Sequence, residues 1–162
     1  PAVKTESDRI ALFEALLEDK IDIVATDHAP HTLEEKNRNY FNSPSGAPFV
    51  QHALTTMLEF YHQGKISLEK IVQKMCHNPA ILYRIEKRGF IREGFWADVV
   101  LVSPNDPWTV DPSGLLYKCG WSPMEGQQFH SRITHTFVNG YLVHERGQIY
   151  DSMKGQRLTF KR

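Results

Sequence analysis

The sequence has few cysteines, no excess of charge of either sign and no long apolar run. Lys and Arg together number 19, as do Asp and Glu, so the formal net charge at pH 7 is +0. With this balance there is no excess of positive charge that would bind nucleic acid or an anionic membrane. No apolar stretch is long enough to cross a bilayer, and the first residues lack the pattern of a signal peptide. We therefore expect neither a nucleic-acid nor a membrane partner.

The two cysteines, Cys76 and Cys119, are far apart in the sequence and form no CxxC pair. A dense disulfide framework is therefore excluded, although one structural disulfide remains an alternative. We expect two buried free thiols and a reducing, cytoplasmic setting.

What the sequence does contain is typical of a globular domain with a core. Its 162 residues are 41% hydrophobic and 23% charged, which suits one ordinary domain. The chain opens at Pro1 without an initiator methionine, a pattern that we interpret as processing or as a piece of something longer.

The first part of the chain alternates helix and strand patterns. Ser7 is a plausible N-cap for a helix with apolar residues at helical spacing, and the β-branched run 21–26 predicts a strand. A long loop, 27–48, precedes further helices. One of them begins near Ser67, and a short one restarts at 78–79 with Asn78 as its cap. This order is typical of α/β proteins with parallel sheets.

The second part has β character. Residues 97–102 predict a strand, and the runs 133–138 and 141–144 predict a hairpin around Asn139-Gly140, because this pair favours a type I′ turn. The stretch 103–131 gives no clear pattern. We therefore expect two parts, residues 1–88 and residues 89–162.

The residues with the clearest chemical potential follow the predicted strand. The run 25–31 reads Ala-Thr-Asp-His-Ala-Pro-His, and ligands in α/β folds gather beyond the carboxyl ends of strands. Asp27, His28 and His31 could bind a metal or act as a general base. Equally, Asp27 could be a turn residue and the histidines surface residues. These side chains are too few for a complete zinc site.

The same run, with Lys36 after it, resembles the second signature of the dihydroorotases. That signature has a small residue, Ser or Thr, Asp, any residue, Ala-Pro-His, spacer residues and Lys. Later segments resemble cyclic amidohydrolases more broadly, and these are residues 78–80, 88–91, 93–94, 97–102, 122–123 and 137–140. The resemblance covers nearly the whole chain.

The resemblance implies an α/β fold, the carboxy-terminal part of a (β/α)₈ amidohydrolase barrel plus part of a small appended β-sandwich. Residues 1–88 would be the end of the barrel, with its last strand and following helices, and residues 89–162 a small β-rich composite domain. Enzymes of this family bind one or two zinc ions. Asp27 would ligate the metal and act as acid and base, His31 would contact the substrate carboxylate, and Ala47 and Pro48 would lie in the substrate-contacting loop.

The implied reaction interconverts N-carbamoyl-L-aspartate and dihydroorotate in pyrimidine biosynthesis. The family's remaining metal ligands lie upstream and are absent from this sequence, so we expect this chain to be inactive alone. A hydantoinase or allantoinase is one alternative, and a non-catalytic subunit bound to a transcarbamoylase is another. A homo-oligomer is also possible on the sequence.

Other residues receive less specific expectations. His28 is expected to support the site, and Lys36 to order the loop through a salt link. The remaining histidines are expected to be surface, capping or otherwise non-ligating residues, and these are His52, His62, His77, His130, His135 and His144. Trp96, Trp108 and Trp121 are expected to pack the β-rich part.

Overall fold

The computed structural model describes residues 3–161, and its first half is helical. The α-helices of this part are α1 (Glu6–Leu17), α2 (Leu33–Lys36), α3 (Ala53–His62), α4 (Leu68–Val72) and α5 (Asn78–Leu82). A 3-10 turn at Val50–His52 leads into α3, and a π-helical turn at Gln73–His77 joins α4 to α5.

The start of α1 differs from the sequence expectation by two positions. Thr5, not Ser7, is the N-cap, and its hydroxyl accepts a hydrogen bond from the Asp8 amide at 3.2 Å. The Asp8 carboxylate accepts in return from the Thr5 amide at 3.0 Å. This reciprocal capping box satisfies two backbone donors, whereas a Ser7 cap would lack the acidic partner at the third helical position.

The later helix starts give one confirmation and one correction. α4 begins next to Ser67 as predicted, and the Ser67 hydroxyl caps it by accepting from the Lys70 amide at 3.2 Å. Asn78 is not a cap, because the π-helical turn carries the helix through it without a break. Its side-chain amide instead donates to the carbonyl oxygen of Asp22 at 2.7 Å.

Residues 21–26 form no strand, contrary to the prediction. Val24 donates its amide to the carbonyl of Lys74 at 3.2 Å, and the Lys74 ammonium bonds to the carbonyl of Ile21. A strand needs another strand as its hydrogen-bond partner, and among residues 3–161 this segment bonds to helical residues instead. The fully buried Lys74 therefore fixes the segment that leads to Asp27.

One apolar core lies among α1, α3 and α4 and the segments beside them. Val102, in the first strand of the β-rich part, packs against this core and so ties the two parts together. The buried residues of the core are Leu16, Met57, Leu58, Ile66 and Ile71. With their partly buried neighbours they recur at helical spacing, since Phe13 and Leu17 lie on the face of Leu16 in α1 and Leu54 lies on the face of Met57 and Leu58 in α3.

The β-rich part contains a four-stranded antiparallel sheet of order β1-β4-β5-β6. Its strands are β1 (Val99–Ser103), β4 (Arg132–Val138), β5 (Tyr141–Glu145) and β6 (Gln148–Ile149), and a separate pair joins β2 (Trp108–Thr109) to β3 (Gln128–Phe129). The predicted hairpin is confirmed. Asn139 and Gly140 have φ of 54° and 84°, the positive values that a type I′ turn requires.

The remaining expectations concern cysteine and the membrane. Cys76 and Cys119 are both free thiols, but Cys76 is exposed and Cys119 only half-buried, so the prediction of two buried thiols was wrong. Within residues 3–161, every helix is too short or too polar to cross a bilayer.

Candidate functional site

Asp27 occupies an unusual backbone conformation at the end of the segment 21–26. Its φ is 46°, in the left-handed region that few residues other than glycine adopt. The residue is exposed, and its carboxylate receives no hydrogen bond from residues 3–161. Strained backbone of this kind concentrates at functional sites. Asp27 therefore presents a free carboxylate on a backbone that its surroundings hold in place.

The loop that begins at Asp27 is closed at its base. His28 and Ala47 form a parallel β-bridge, and the Ala29 amide donates to the Ala47 carbonyl at 3.0 Å. The Nδ1 atom of His28 accepts a hydrogen bond from the Val50 amide at 3.3 Å. His28 thus links the start of the loop to its end, which agrees with the expected supporting role.

Gly46 allows the two ends of the loop to approach closely. Its φ is 89°, and a Cβ atom at this position would lie 2.6 Å from the Cβ of Ala29. Ala47 is half-buried and Pro48 is fully buried. Of the two residues, only Ala47 is therefore open to a ligand.

His31 is held by its backbone on both sides. Its amide donates to the Ala29 carbonyl at 2.9 Å, and its own carbonyl accepts from the indole Nε1 of Trp121 at 2.8 Å. The ring Nδ1 lies 3.8 Å from a carboxylate oxygen of Glu35. The Thr32 amide and hydroxyl lower the pKa of Glu35, which keeps that carboxylate ionised beside His31.

Lys36 orders the loop, although not through the salt link that we expected. Its ammonium donates to the carbonyl oxygens of Pro44 and Gly46 at 2.7 Å and 3.0 Å. The Ser43 hydroxyl donates to the Lys36 carbonyl at 3.1 Å. Among residues 3–161 no carboxylate lies within ion-pair distance of Lys36, because the Glu35 carboxylate is turned toward Thr32.

A segment of the unassigned stretch 103–131 supports the site from outside. The phenol oxygen of Tyr117 accepts from the Gln51 amide at 2.9 Å, and its ring centroid lies 5.3 Å from that of His28. Trp121 also bonds to a backbone group, because its indole N–H donates to the His31 carbonyl. Aromatic residues with one polar atom are suited to such positions, but the sequence alone did not indicate this role for either residue.

One histidine outside the loop is placed differently from the expectation. His52 is fully buried, with its Nδ1 3.3 Å from the Ser122 hydroxyl and its ring stacked on Phe129. Burial lowers the pKa of His52 and favours its neutral form. The expectation of a surface or capping residue was wrong because Phe129 and Ser122, both distant in sequence, cover it.

The donor set of the chain fits one part of a metal site. Within residues 3–161 no group of three or more His, Cys, Asp and Glu side chains is close enough to hold an ion. Asp27 can supply one exposed oxygen ligand, whereas a catalytic zinc takes about three protein ligands. The remaining ligands would have to come from outside these residues.

The comparisons with known proteins identify the family. A family model described as the amidohydrolase family matches residues 3–143, most of the chain. The chain therefore belongs to the amidohydrolase family.

Within that family, the curated relatives that it resembles are dihydroorotases. It is 35% identical to the dihydroorotase of Pyrococcus furiosus over 161 residues, which are 99% of this chain and 37% of the relative. It is 41% identical to the dihydroorotase of Halobacterium salinarum over 126 residues, which are 78% of this chain and 30% of the relative. The chain thus spans about a third of the length of these relatives.

Solved structures of related enzymes have the same fold. The L-hydantoinase (dihydropyrimidinase) from Arthrobacter aurescens has a TM-score of 0.90 and 28% identity, covering 98% of this chain and 37% of that one. A D-hydantoinase from Thermus sp. has a TM-score of 0.84 at 22% identity, covering 93% and 34%, and shows the fold alone. These similarities confirm the predicted fold class, an α/β amidohydrolase part with an attached sheet.

Proposed function

We propose that this chain forms the carboxy-terminal part of the catalytic unit of a dihydroorotase, which interconverts N-carbamoyl-L-aspartate and dihydroorotate. The observation that carries the proposal is the exposed Asp27 carboxylate, held in a left-handed backbone at the head of a closed loop. The identity to dihydroorotases over nearly the whole chain supports the choice of substrate class. The chain alone is inactive, because it supplies too few metal ligands.

Asp27 acts as the proton acceptor and donor in this proposal. Ring opening of a cyclic amide needs a base to take a proton from the attacking water and an acid to return it to the leaving ring nitrogen. One carboxylate can do both in turn, and an exposed, unpartnered oxygen can reach water and substrate alike. The reverse sequence of proton transfers serves ring closure.

Zinc is the metal that we propose for the intact site, with Asp27 as one of its ligands. When bound, zinc would supply Lewis acidity that polarises the ring carbonyl and lowers the pKa of water. Asp27 contributes a hard oxygen ligand to this site.

His31 and the Ala47-Pro48 segment recognise the substrate. Both substrates carry a carboxylate, and the His31 imidazole can donate a hydrogen bond to it, most strongly when protonated. In the Ala47-Pro48 segment the half-buried Ala47 is the residue that contacts the pyrimidine ring, and the buried Pro48 holds it in place. The free thiols Cys76 and Cys119 agree with a cytoplasmic setting for this chemistry.

The decisive experiment compares two ring substrates with the full-length protein that contains this chain, with zinc supplied. Dihydroorotate carries the carboxylate that His31 would contact, and dihydrouracil lacks it. We expect turnover of dihydroorotate and little or none of dihydrouracil. Turnover of neither would contradict an enzymatic function and favour a non-catalytic subunit, whose test is capture of a transcarbamoylase.

A hydantoinase-type hydrolase is the second candidate, because the L-hydantoinase structure matches with a TM-score of 0.90 at 28% identity. Such an enzyme acts on neutral rings and has no use for a carboxylate contact at His31. A preference for dihydrouracil over dihydroorotate would therefore support this candidate and contradict the first.

A further inference from the structure

Lys36 lies at the end of α2 with its ammonium between two carbonyl oxygens, those of Pro44 and Gly46. An ammonium has three donors and no acceptor. Hydrogen bonds from a charged donor are shorter and stronger than those between neutral groups, and the 2.7 Å distance to Pro44 is of this kind. Together with the Ser43 hydroxyl on the Lys36 carbonyl, these bonds fasten α2 to residues 43–46.

The positive charge of Lys36 is what permits this arrangement. Two carbonyl oxygens that converge on one point repel each other through their partial negative charges, and a cation between them turns this repulsion into attraction. No carboxylate among residues 3–161 competes for Lys36, because Glu35 accepts from the Thr32 amide and hydroxyl. The ammonium is therefore committed to the loop.

Because Lys36 fixes the position of Gly46, it also fixes the residues next to Asp27, which contact Gly46 and Ala47. Gly46 leaves no room for a side chain against Ala29, since a Cβ atom there would come within 2.6 Å of the Ala29 Cβ. The next residue, Ala47, accepts the Ala29 amide at 3.0 Å. Movement of Gly46 would therefore displace Ala47 from the segment that contains Asp27 and Ala29.

We propose that Lys36 is a positioning residue that sets the distance between Asp27 and the Ala47-Pro48 segment. This inference rests on the proposed function, in which Asp27 handles the proton and Ala47-Pro48 contact the ring. Lys36 touches neither the substrate nor the metal and acts through the carbonyls of Pro44 and Gly46. Its loss therefore weakens substrate binding more than it slows the chemical step.

The test combines amide exchange in this chain with kinetics of the full-length protein. In Lys36→Met, whose side chain keeps the length and loses the charge, the Ala29 amide should exchange about tenfold faster, the scale of one lost charge-assisted hydrogen bond. The KM for dihydroorotate should rise about tenfold, with kcat changed by less than about twofold. Lys154→Met, at an exposed lysine that pairs with Asp151 and not with the loop, is the matched control and should change neither quantity.

A conservative variant separates positioning from general stability. Lys36→Arg keeps the charge and the donors, so its KM should lie within about threefold of the unsubstituted value. A merely structural role would lower the melting temperature and the active fraction, hence kcat, at constant KM. Unchanged exchange at Ala29 in Lys36→Met, or faster exchange with unchanged KM, would overturn the proposal.

A different result would show that the proposed function itself is wrong. If the unsubstituted full-length protein does not turn over dihydroorotate, the proposed function and the substrate-positioning role are both overturned. The exchange rate of the Ala29 amide would still decide whether Lys36 holds the loop.

Discussion

Asp27 combines an exposed carboxylate with a backbone that most side chains avoid. Asp and Asn adopt left-handed φ more readily than other residues with a Cβ atom, because their short polar side chains bond locally. The residue type at this position therefore serves both the turn and the proposed chemistry. A replacement that tests the proposed chemistry must therefore still adopt the left-handed backbone conformation.

Asp27→Asn meets that condition, since it keeps the size and the backbone preference and removes the proton acceptor. In the full-length protein we expect kcat for dihydroorotate to fall by about 10²–10⁴-fold, the usual contribution of a general acid or base, with an unchanged melting temperature. Asp22→Asn, at an exposed aspartate earlier in the same segment, is the matched control. Near-normal turnover of Asp27→Asn would contradict the acid-base role.

His52 gives a prediction on pH and stability. Burial lowers its pKa below the ordinary 6.5, so the unfolded chain binds a proton more readily than the folded one. The resulting stability is present above about pH 6.5 and is lost as the pH falls through that value toward the folded pKa, by at most about 1.4 kcal/mol per pH unit. Burial lowers the pKa of His144 too, so it adds to the loss in the same direction.

His52→Phe should reduce this loss, because phenylalanine keeps the ring stacked on Phe129 and cannot be protonated. Urea unfolding between pH 7 and pH 5 should show that the free energy of unfolding declines less steeply in the variant. The decline that remains is expected to come from His144. The variant also removes the buried Nε2, which has no hydrogen-bond partner among residues 3–161. Parallel curves for the two proteins would contradict the assignment to His52.

Among the structural elements, the loop 27–48 depends on close approach at one glycine. Gly46 and Gly64 both have positive φ, 89° and 69°, but a Cβ atom would clash with Ala29 at Gly46 and meet nothing within 4 Å at Gly64. The two positions therefore separate backbone strain from steric crowding.

Gly64→Ala should lower the free energy of unfolding by about 1–2 kcal/mol, the cost of a left-handed alanine. Gly46→Ala should cost about 1–3 kcal/mol more, because it adds overpacking against Ala29. Denaturant unfolding of both variants measures the difference. Equal losses would show that the contact with Ala29 relaxes freely and would argue against a rigid loop base.

Local elements were predictable from the sequence where local chemistry fixes them. The hairpin at Asn139-Gly140 follows from the φ values that its turn requires, and the start of α4 was expected near Ser67, where the structure has it. The expected strand at 21–26 was wrong because its partners are helical residues such as Lys74, distant in sequence. The stretch 103–131 gave no signal, since its role comes from contacts such as that of Trp121 with His31.

At the scale of the whole molecule, the metal donors are too few. We expect this chain to bind zinc weakly at Asp27 and to show no turnover of dihydroorotate, because a single carboxylate is a poor zinc site. Equilibrium dialysis with zinc and an assay of the isolated chain measure both quantities. Tight stoichiometric zinc with three or more protein ligands would contradict the expectation, and Asp27→Asn is the control for the weak site.

The hydrogen bond from Trp121 to the His31 carbonyl joins residues on opposite sides of the predicted boundary at residue 88. The boundary itself stays a prediction. The contact nevertheless limits which sequence changes the two parts can accept independently during evolution. Recombination that exchanged the β-rich part between relatives would remove the donor that holds His31, and with it the support of the proposed carboxylate contact. The two parts are therefore expected to evolve together, with change at residues 117–121 followed by compensating change at residues 28–31.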